Sequence, residues 1–160
     1  MNIGIIGIGA WGKKLLSIFN KISKVHVCAC YDKIKNLDWF EKNYPDIVLT
    51  ENYKDILNDK LIDAVIVATP IKTHFKIVKE SIKANKHVFV EKPISQTGKE
   101  ALELINLKTA NIIFINHIFL FNSCFEFLKN LLIIKKIKSI SMLWNKFGTF
   151  NEDIVSNLLI

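Results

Sequence analysis

Three glycines interrupt the apolar start of the chain, and their spacing constrains the fold more than any other feature. Gly7, Gly9 and Gly12 form the pattern G-x-G-x-x-G directly after the apolar residues 3–6. Around and after this pattern, apolar side chains recur at helical spacing, at Trp11, Leu15, Ile18, Phe19 and Ile22. A buried strand, a glycine turn and a helix in this order predict the first unit of an α/β fold.

The segments that follow alternate between strand-like and helix-like patterns. Strands are predicted at 25–31, 46–50, 64–70, 87–93 and 111–116. Helices are predicted at 73–84 and 97–109, and Asn85 falls at the left-handed position that ends the first of them. This alternation predicts a doubly wound, mostly parallel sheet that binds ligands at the carboxyl ends of its strands.

The pattern changes beyond Phe121, where a second domain is predicted to begin. An amphipathic helix is expected from the spacing of Phe121, Cys124, Phe125, Leu128, Leu131 and Leu132. The segment KIKSISMLW, residues 136–144, then alternates like a strand in a half-covered sheet. We therefore expect one domain over 1–120 and an incomplete α+β domain over 121–160.

Charge and composition limit the class of partner. The chain has 160 residues and a formal net charge of +7, but its lysines are scattered. Five of them recur at helical spacing and predict a solvated helix face rather than a nucleic-acid surface: Lys72, Lys76, Lys79, Lys83 and Lys86. No apolar run approaches the roughly 18 residues of a membrane span, and the start lacks a signal peptide's basic flank. We expect a cytoplasmic protein that binds neither nucleic acid nor membrane.

The three cysteines predict neither a disulfide framework nor a metal site. Cys28 and Cys30 lie two residues apart on a predicted strand, where they would share one face, and Cys124 is distant in the sequence. This spacing matches no metal-binding pattern. We therefore expect reduced, buried thiols and no bound metal.

Asp32 makes the glycine pattern specific, because it lies at the end of the second predicted strand, 20 residues after Gly12. In a dinucleotide-binding turn, Gly7 permits the tight turn, Gly9 lets the backbone approach a pyrophosphate, and Gly12 lets the helix pack on the strand. The helix N-terminus supplies N–H donors to the anion. Asp32 would accept hydrogen bonds from the adenosine ribose. The predicted cofactor contacts of the loop are Gly7, Ile8, Gly9, Ala10, Trp11 and Gly12. The alternative is a ligand-free turn, with Asp32 only starting a loop.

The choice of cofactor follows from charge. The carboxylate of Asp32 would repel the 2′-phosphate of NADP, and the chain has 22 lysines but no arginine to bind that phosphate in a bidentate manner. Lys33 or Lys35 could compensate only in part. We therefore predict NAD rather than NADP.

The segment ATPIKTH, residues 68–74, ends the fourth predicted strand at the ligand edge of the sheet. Ala68, Thr69 and Pro70 could border the cofactor, and His74 could point into the crevice. The alternative is a plain turn in which Thr73 is the N-cap of the next helix.

The segment EKP, residues 91–93, ends the fifth predicted strand at the same edge. Glu91 and Lys92 leave an apolar strand and therefore need partners, and we predict that both contact the cofactor. Lys92 could take the proton of a secondary alcohol, or return it in the reverse reaction, because a neighbouring oxidised nicotinamide favours the neutral amine. The alternative is an ordinary surface lysine before a proline.

Taken together, GIGAWG, Asp32, ATPIKTH and HVFVEKP resemble the Gfo/Idh/MocA family, which includes glucose–fructose oxidoreductase and inositol dehydrogenase. The order and spacing match across nearly all of the first 120 residues. The resemblance implies a Rossmann-type domain and NAD(P)-dependent oxidation or reduction at a sugar or cyclitol carbon. It implies that Lys92 is the catalytic lysine and that the region of Thr69, Pro70 and His74 borders the nicotinamide half of the cofactor.

The segment INHIFLFNSCFEFLKNLL, residues 115–132, is similar to the family's crossing into its substrate domain, most of all in the nucleotide-sugar dehydrogenase branch. That crossing commonly reads GH-x-F-x-(F/Y)-N-P, and this chain has Asn116 in place of the glycine and Ser123 in place of the proline. We expect His117 and Asn122 to be substrate contacts. His117 does not match the family's catalytic histidine, which the resemblance places beyond this chain's last residue.

Three hypotheses about function stay open, because family members are usually about twice this length, as two domains of ordinary size would be. The first is an NAD-dependent oxidoreductase acting on a sugar or nucleotide sugar, present as a shortened chain. The second is a non-catalytic dinucleotide-binding or pairing module, and the third is a gene fragment without independent function. An unpartnered strand in the second domain would also favour association with another copy or subunit.

Overall fold

The computed structural model describes residues 1–31, 37–107, 109–134, 139 and 141. It separates into two compact units, Met1–Asn116 and a second unit that begins at His117. The strands of the first unit are β1 (Asn2–Ile6), β2 (His26–Tyr31), β3 (Val48–Thr50), β4 (Ala64–Val67), β5 (His87–Val90) and β6 (Ile113–Ile115). Its helices are α1 (Ala10–Phe19), α2 (Leu37–Asn43), α3 (Tyr53–Asn58), α4 (Ile71–Lys83) and α5 (Gly98–Ile105).

The six strands form one parallel sheet in the order β3-β2-β1-β4-β5-β6. The chain builds outward from β1 in one direction and then returns to the centre to build in the other. This order confirms the predicted doubly wound, Rossmann-type sheet. The switch point lies between the carboxyl ends of β1 and β4, which is where such sheets bind ligands.

Each face of the sheet packs against its own helices. One core cluster joins the sheet to α3, α4 and α5 and includes Ile56, Val78 and Leu104. The other joins the sheet to α1 and α2 and includes Leu16 and Phe40. Both faces are therefore covered, which explains why β1 and β4 are apolar runs rather than alternating patterns.

Only some of the apolar residues that recur at helical spacing in α1 are buried. Trp11 is 58% exposed and Ile18 is 57% exposed, whereas Gly12, Leu15 and Leu16 are buried. The predicted helix is confirmed, and Leu15 and Phe19 pack against the core, but Gly12 packs directly against the turn at Gly7 and this contact sets the rotation of the helix.

Cys28 and Cys30 do not share one face of the sheet. The pairing of β1 with β2 shifts register at Cys28, so that β2 carries one extra residue there. Cys28 therefore packs against the cluster of α3–α5, and Cys30 is buried in the cluster of α1 and α2. Both are free thiols whose pKa is raised by burial, whereas Cys124 is exposed, contrary to the expected burial.

Several helix boundaries also differ from the prediction. The helix α4 begins at Ile71, so Thr73 lies inside it and is not its N-cap, whereas Asn85 has the predicted left-handed backbone with φ of 60°. The helix α5 is shorter than predicted and begins after Thr97, whose hydroxyl accepts a hydrogen bond from the N–H of Glu100. The sequence patterns did not predict the short helices α2 and α3.

Lys86 corrects the prediction of a continuous lysine face. Lys72, Lys76 and Lys83 are exposed, but Lys86 is only 5% exposed. Its ammonium donates hydrogen bonds of 2.6 Å to the carbonyl of Asp59 and 2.7 Å to that of Ile62. Helix α4 ends at Lys83, and the chain reverses at the left-handed Asn85. The side chain of Lys86 therefore points inward.

The second unit contains a 3₁₀ helix (Ile118–Phe121) and α6 (Ser123–Ile134), which confirms the predicted helix. The predicted strand at 136–144 lies outside the described residues except for Ser139 and Ser141, which are exposed. Within the described ranges, no helix is long and apolar enough to span a membrane. The division into functional domains at 120 stays a prediction.

Candidate functional site

The turn after β1 depends on a glycine at position 7. Gly7 has φ of 101°, a backbone conformation that residues other than glycine rarely adopt. A Cβ there would lie 2.8 Å from the carbonyl oxygen of Ala68 and 2.9 Å from Cγ2 of Thr69. The N–H of Gly7 donates to the carbonyl of Tyr31 at 2.8 Å. The turn therefore lies directly against the loop that follows β4.

Gly12 has a different reason to be glycine. A Cβ at this position would overlap the carbonyl oxygen of Gly7, so the first turn of α1 packs tightly on the strand-to-helix turn. This is the packing role that the sequence pattern predicts for the third glycine.

Gly9 faces open space. It is the N-cap of α1, with an extended backbone at φ of −73°, and a Cβ there would meet nothing within 4 Å. Among the residues that the structure describes, no side chain caps this helix end, and the first turn of α1 carries no acidic residue. The N–H donors of this first turn and the positive end of the helix dipole suit an anion. A pyrophosphate fits here, and no packing contact requires position 9 to be glycine.

The other residues of this turn divide between core and surface. Ile8 is fully buried in the cluster of α1 and α2, so its side chain belongs to the core. Ala10 and Trp11 are exposed, and the ammonium of Lys14 lies 4.4 Å from the centre of the Trp11 ring. These side chains line the open end of the helix.

The loop after β4 is held by backbone and hydroxyl contacts. The N–H of Ala68 donates to the carbonyl of Ile6 at 2.9 Å, which continues the pairing of β1 with β4. The hydroxyl of Thr73 lies 2.7 Å from both the Thr69 hydroxyl and the Pro70 carbonyl oxygen. The first turn of α4 therefore fixes the loop that the sequence predicts at the cofactor.

His74 is not open to the crevice, contrary to the expectation from the sequence. Its ring is 1% exposed. The Nδ1 atom lies 2.7 Å from the carbonyl oxygen of Pro93, and the Nε2 atom lies 2.7 Å from the carbonyl oxygen of Thr69. His74 thus joins the loop after β4 to the loop after β5.

The residues of EKP have contrasting surroundings. The N–H of Glu91 donates to the carbonyl of Val67 at 2.9 Å, and the Glu91 carboxylate accepts a 2.8 Å hydrogen bond from the side chain of Asn116. Lys92 is partly buried, yet its ammonium makes no hydrogen bond or ion pair within the described residues. Its donors are available to a ligand at the carboxyl edge of the sheet.

The structure brings together the turn at Gly7–Gly12, the loop at Ala68–Pro70 and the loop containing Lys92. The residue predicted to bind ribose, Asp32, lies outside the described residues. His117 and Asn122 belong to the second unit, where His117 precedes the 3₁₀ helix and the Asn122 side chain accepts from the N–H of Cys124 at 2.9 Å. Their contact with substrate stays a prediction.

Asn116 contacts Glu91 of the EKP segment, and the sequence patterns did not predict this contact. In the sequence, Asn116 stands out only because it replaces the glycine that is common in the family. The need of a partly buried Glu91 for a hydrogen-bond partner was the available signal, but sequence spacing does not reveal which residue of the adjacent strand meets it.

Comparison with known proteins decides the family. A family profile described as an oxidoreductase family with an NAD-binding Rossmann fold, Gfo/Idh/MocA, matches residues 1–116. The chain belongs to the Gfo/Idh/MocA family. This confirms the resemblance of the glycine turn, the ATP loop and the EKP loop.

Individual proteins that are similar to this chain agree with the assignment to the family. An uncharacterized oxidoreductase, YrbE of Bacillus subtilis, is 33% identical over 64% of this chain and 30% of its own length. The inositol 2-dehydrogenase of Salmonella paratyphi B is 31% identical over 69% of this chain and 34% of its own length. An apo scyllo-inositol dehydrogenase structure from Lactobacillus casei has a TM-score of 0.73 and 27% identity, covering 84% of this chain and 41% of that chain. This Gfo/Idh/MocA chain therefore spans about a third of the length of these two curated relatives.

Proposed function

We propose that this Gfo/Idh/MocA chain is the dinucleotide-binding part of an NAD-dependent oxidoreductase. The substrate class we infer is a sugar, nucleotide sugar or cyclitol with a secondary hydroxyl or keto group. The observation that carries the proposal is the open, uncapped N-terminus of α1 at Gly9, beside the loops that end β4 and β5.

Each part of the proposed site has a separate role. The N–H groups at the start of α1 would hold the pyrophosphate, with Gly7 and Gly12 shaping the turn and Ala68, Thr69 and Pro70 bordering the cofactor. The bound nicotinamide would supply the hydride acceptor. Lys92 would accept the proton of the substrate hydroxyl at Nζ during oxidation and return it during reduction.

The preference for NAD rests on Asp32 and on the absence of arginine from the sequence. A carboxylate at the ribose would repel a 2′-phosphate, and a lysine binds phosphate as a point charge rather than in a bidentate manner. The substrate proposal is supported by the inositol 2-dehydrogenase relative and by the position of the partly buried Lys92.

The test is calorimetric titration of the chain with NAD and with NADP, using two matched variants. Neither Gly9 nor Gly98 has a positive φ, and a Cβ at either position meets nothing within 4 Å, so Gly9→Val and Gly98→Val should both fold. Only Gly9→Val places a side chain at the open helix end. We expect it to abolish NAD binding, and Gly98→Val to leave binding unchanged.

The outcomes separate the hypotheses. Failure of the folded wild-type chain to bind either dinucleotide, or equal binding by the two variants, would overturn the proposal. Binding of NAD without reduction by any sugar, nucleotide sugar or cyclitol would instead favour a non-catalytic dinucleotide-binding module.

A further inference from the structure

The imidazole of His74 lies between two carbonyl oxygens. The Nδ1 atom is 2.7 Å from Pro93 O, the Nε2 atom is 2.7 Å from Thr69 O, and the ring is 1% exposed. Carbonyl oxygens only accept hydrogen bonds, and a neutral imidazole has one N–H to donate. A neutral ring would therefore serve one loop, and a doubly protonated ring would serve both.

The Pro93 carbonyl is the more consequential of the two partners. Proline has no N–H, so its carbonyl is the only backbone group by which Pro93 can be held through a hydrogen bond. Pro93 directly follows Lys92, so a bond at this carbonyl restrains the backbone that carries the lysine.

The residue before Lys92 is restrained as well. The N–H of Glu91 is bonded to Val67 O, and the Glu91 carboxylate is bonded to Asn116. The Lys92 side chain itself makes no hydrogen bond within the described residues. The position of its ammonium therefore depends on how firmly its two neighbours are held.

We propose that His74 is a positioning residue for Lys92, acting through an Nδ1–H that donates to the carbonyl of Pro93. The inference rests on the proposed role of Lys92 in proton transfer. It assigns His74 a role in the geometry of the reacting amine rather than a contact with the cofactor.

Two substitutions separate the two nitrogens of the ring. In His74→Asn the side-chain amide nitrogen replaces Nδ1 and can still donate to Pro93, whereas in His74→Gln it replaces Nε2 and can donate only towards Thr69. The readout is the acylation rate of Lys92 relative to the exposed Lys99, followed by peptide mass spectrometry on the 160-residue chain without cofactor. We expect the ratio to change roughly fivefold to tenfold in His74→Gln, the effect of one lost hydrogen bond. His74→Asn should retain the wild-type ratio.

Nitrogen-15 NMR of the wild-type histidines provides a second readout that needs no variant. A protonated Nδ1 on His74 is expected, and an unprotonated Nδ1 would overturn the inference. Equal ratios in the two variants would also overturn it, because a purely structural role would not distinguish Asn from Gln. Calorimetric binding of NAD tests the proposed function separately, since the acylation ratio is measured without the dinucleotide.

Discussion

The side-chain amide of Asn116 donates a 2.8 Å hydrogen bond to the carboxylate of Glu91 and ties the end of β6 to the end of β5. We expect Asn116→Ala to lower the free energy of unfolding by about 1–2 kcal/mol, because a partly buried carboxylate loses its partner. Urea unfolding followed by circular dichroism measures this. Asn58→Ala is the control, since Asn58 is exposed in α3 and its side chain makes no hydrogen bond within the described residues. Equal losses in the two variants would contradict the assigned role.

Lys86 and Lys83 offer a second matched pair. Replacing Lys86 by methionine keeps the apolar stem but leaves the carbonyls of Asp59 and Ile62 without their donor. We expect a loss of about 1–3 kcal/mol in the free energy of unfolding, the cost of unsatisfied buried groups. Lys83→Met, on the exposed side of α4, should change it by less than about 0.5 kcal/mol. If Lys86→Met leaves the free energy of unfolding unchanged, the buried ammonium does not stabilise the segment from Asp59 to Ile62.

Gly12 and Gly98 compare a glycine that packing requires with one that it does not. Gly12→Ala would push a methyl group into the Gly7 carbonyl, and we expect a loss of stability of about 1–3 kcal/mol or more, as for an overpacked core. Gly98→Ala has open space around it and should be nearly neutral or stabilising in the first turn of α5. Thermal unfolding of both variants measures the difference. Similar midpoints would show that α1 can shift away from the turn.

Replacing Lys92 by alanine should separate folding from chemistry. The ammonium makes no hydrogen bond within the part of the chain that the structure describes, so the free energy of unfolding should change little. Hydride transfer with a substrate that the wild-type chain turns over should fall about 10²- to 10⁴-fold, the usual contribution of a general acid–base group. Lys99→Ala is the control for lost surface charge, because Lys99 is exposed in α5. Full activity of Lys92→Ala would exclude Lys92 as the base.

The sheet and the glycine turn could be predicted from the sequence because their signals are local. Apolar runs, the G-x-G-x-x-G spacing and Asn85 each specify a nearby backbone conformation, and the structure agrees with them. The face of α1 could not be predicted in the same way. Its rotation is set by a contact between Gly12 and Gly7, and an apolar pattern does not reveal which of several apolar residues will face that contact.

Two other differences also arise from tertiary geometry. The bulge at Cys28 reverses the faces expected from strict alternation, since one extra residue changes the orientation of those around it. The pairing of His74 with two carbonyls requires the loops after β4 and β5 to lie together, although Pro93 is distant from His74 in the sequence. Sequence spacing identified the loops but not the side chain that joins them.

The hydrogen bond from the Tyr53 hydroxyl to Glu80, at 2.6 Å, predicts a particular dependence of stability on pH. Burial, followed by the hydrogen bond and the charge of Glu80, raises the pKa of Tyr53 to about 12 from its ordinary value of 10.0. Because the folded state holds this proton more tightly, the stabilisation is complete below a pH of about 10 and is lost as the pH rises towards about 12. Tyr53→Phe should therefore be less stable than the wild type by about 1–2 kcal/mol at neutral pH, and this gap should narrow in urea unfolding above pH 10. The buried Cys30, whose pKa is also raised, acts equally in both proteins and cancels in the difference. A gap that stays constant up to pH 12 would mean that the tyrosine proton is not held by Glu80.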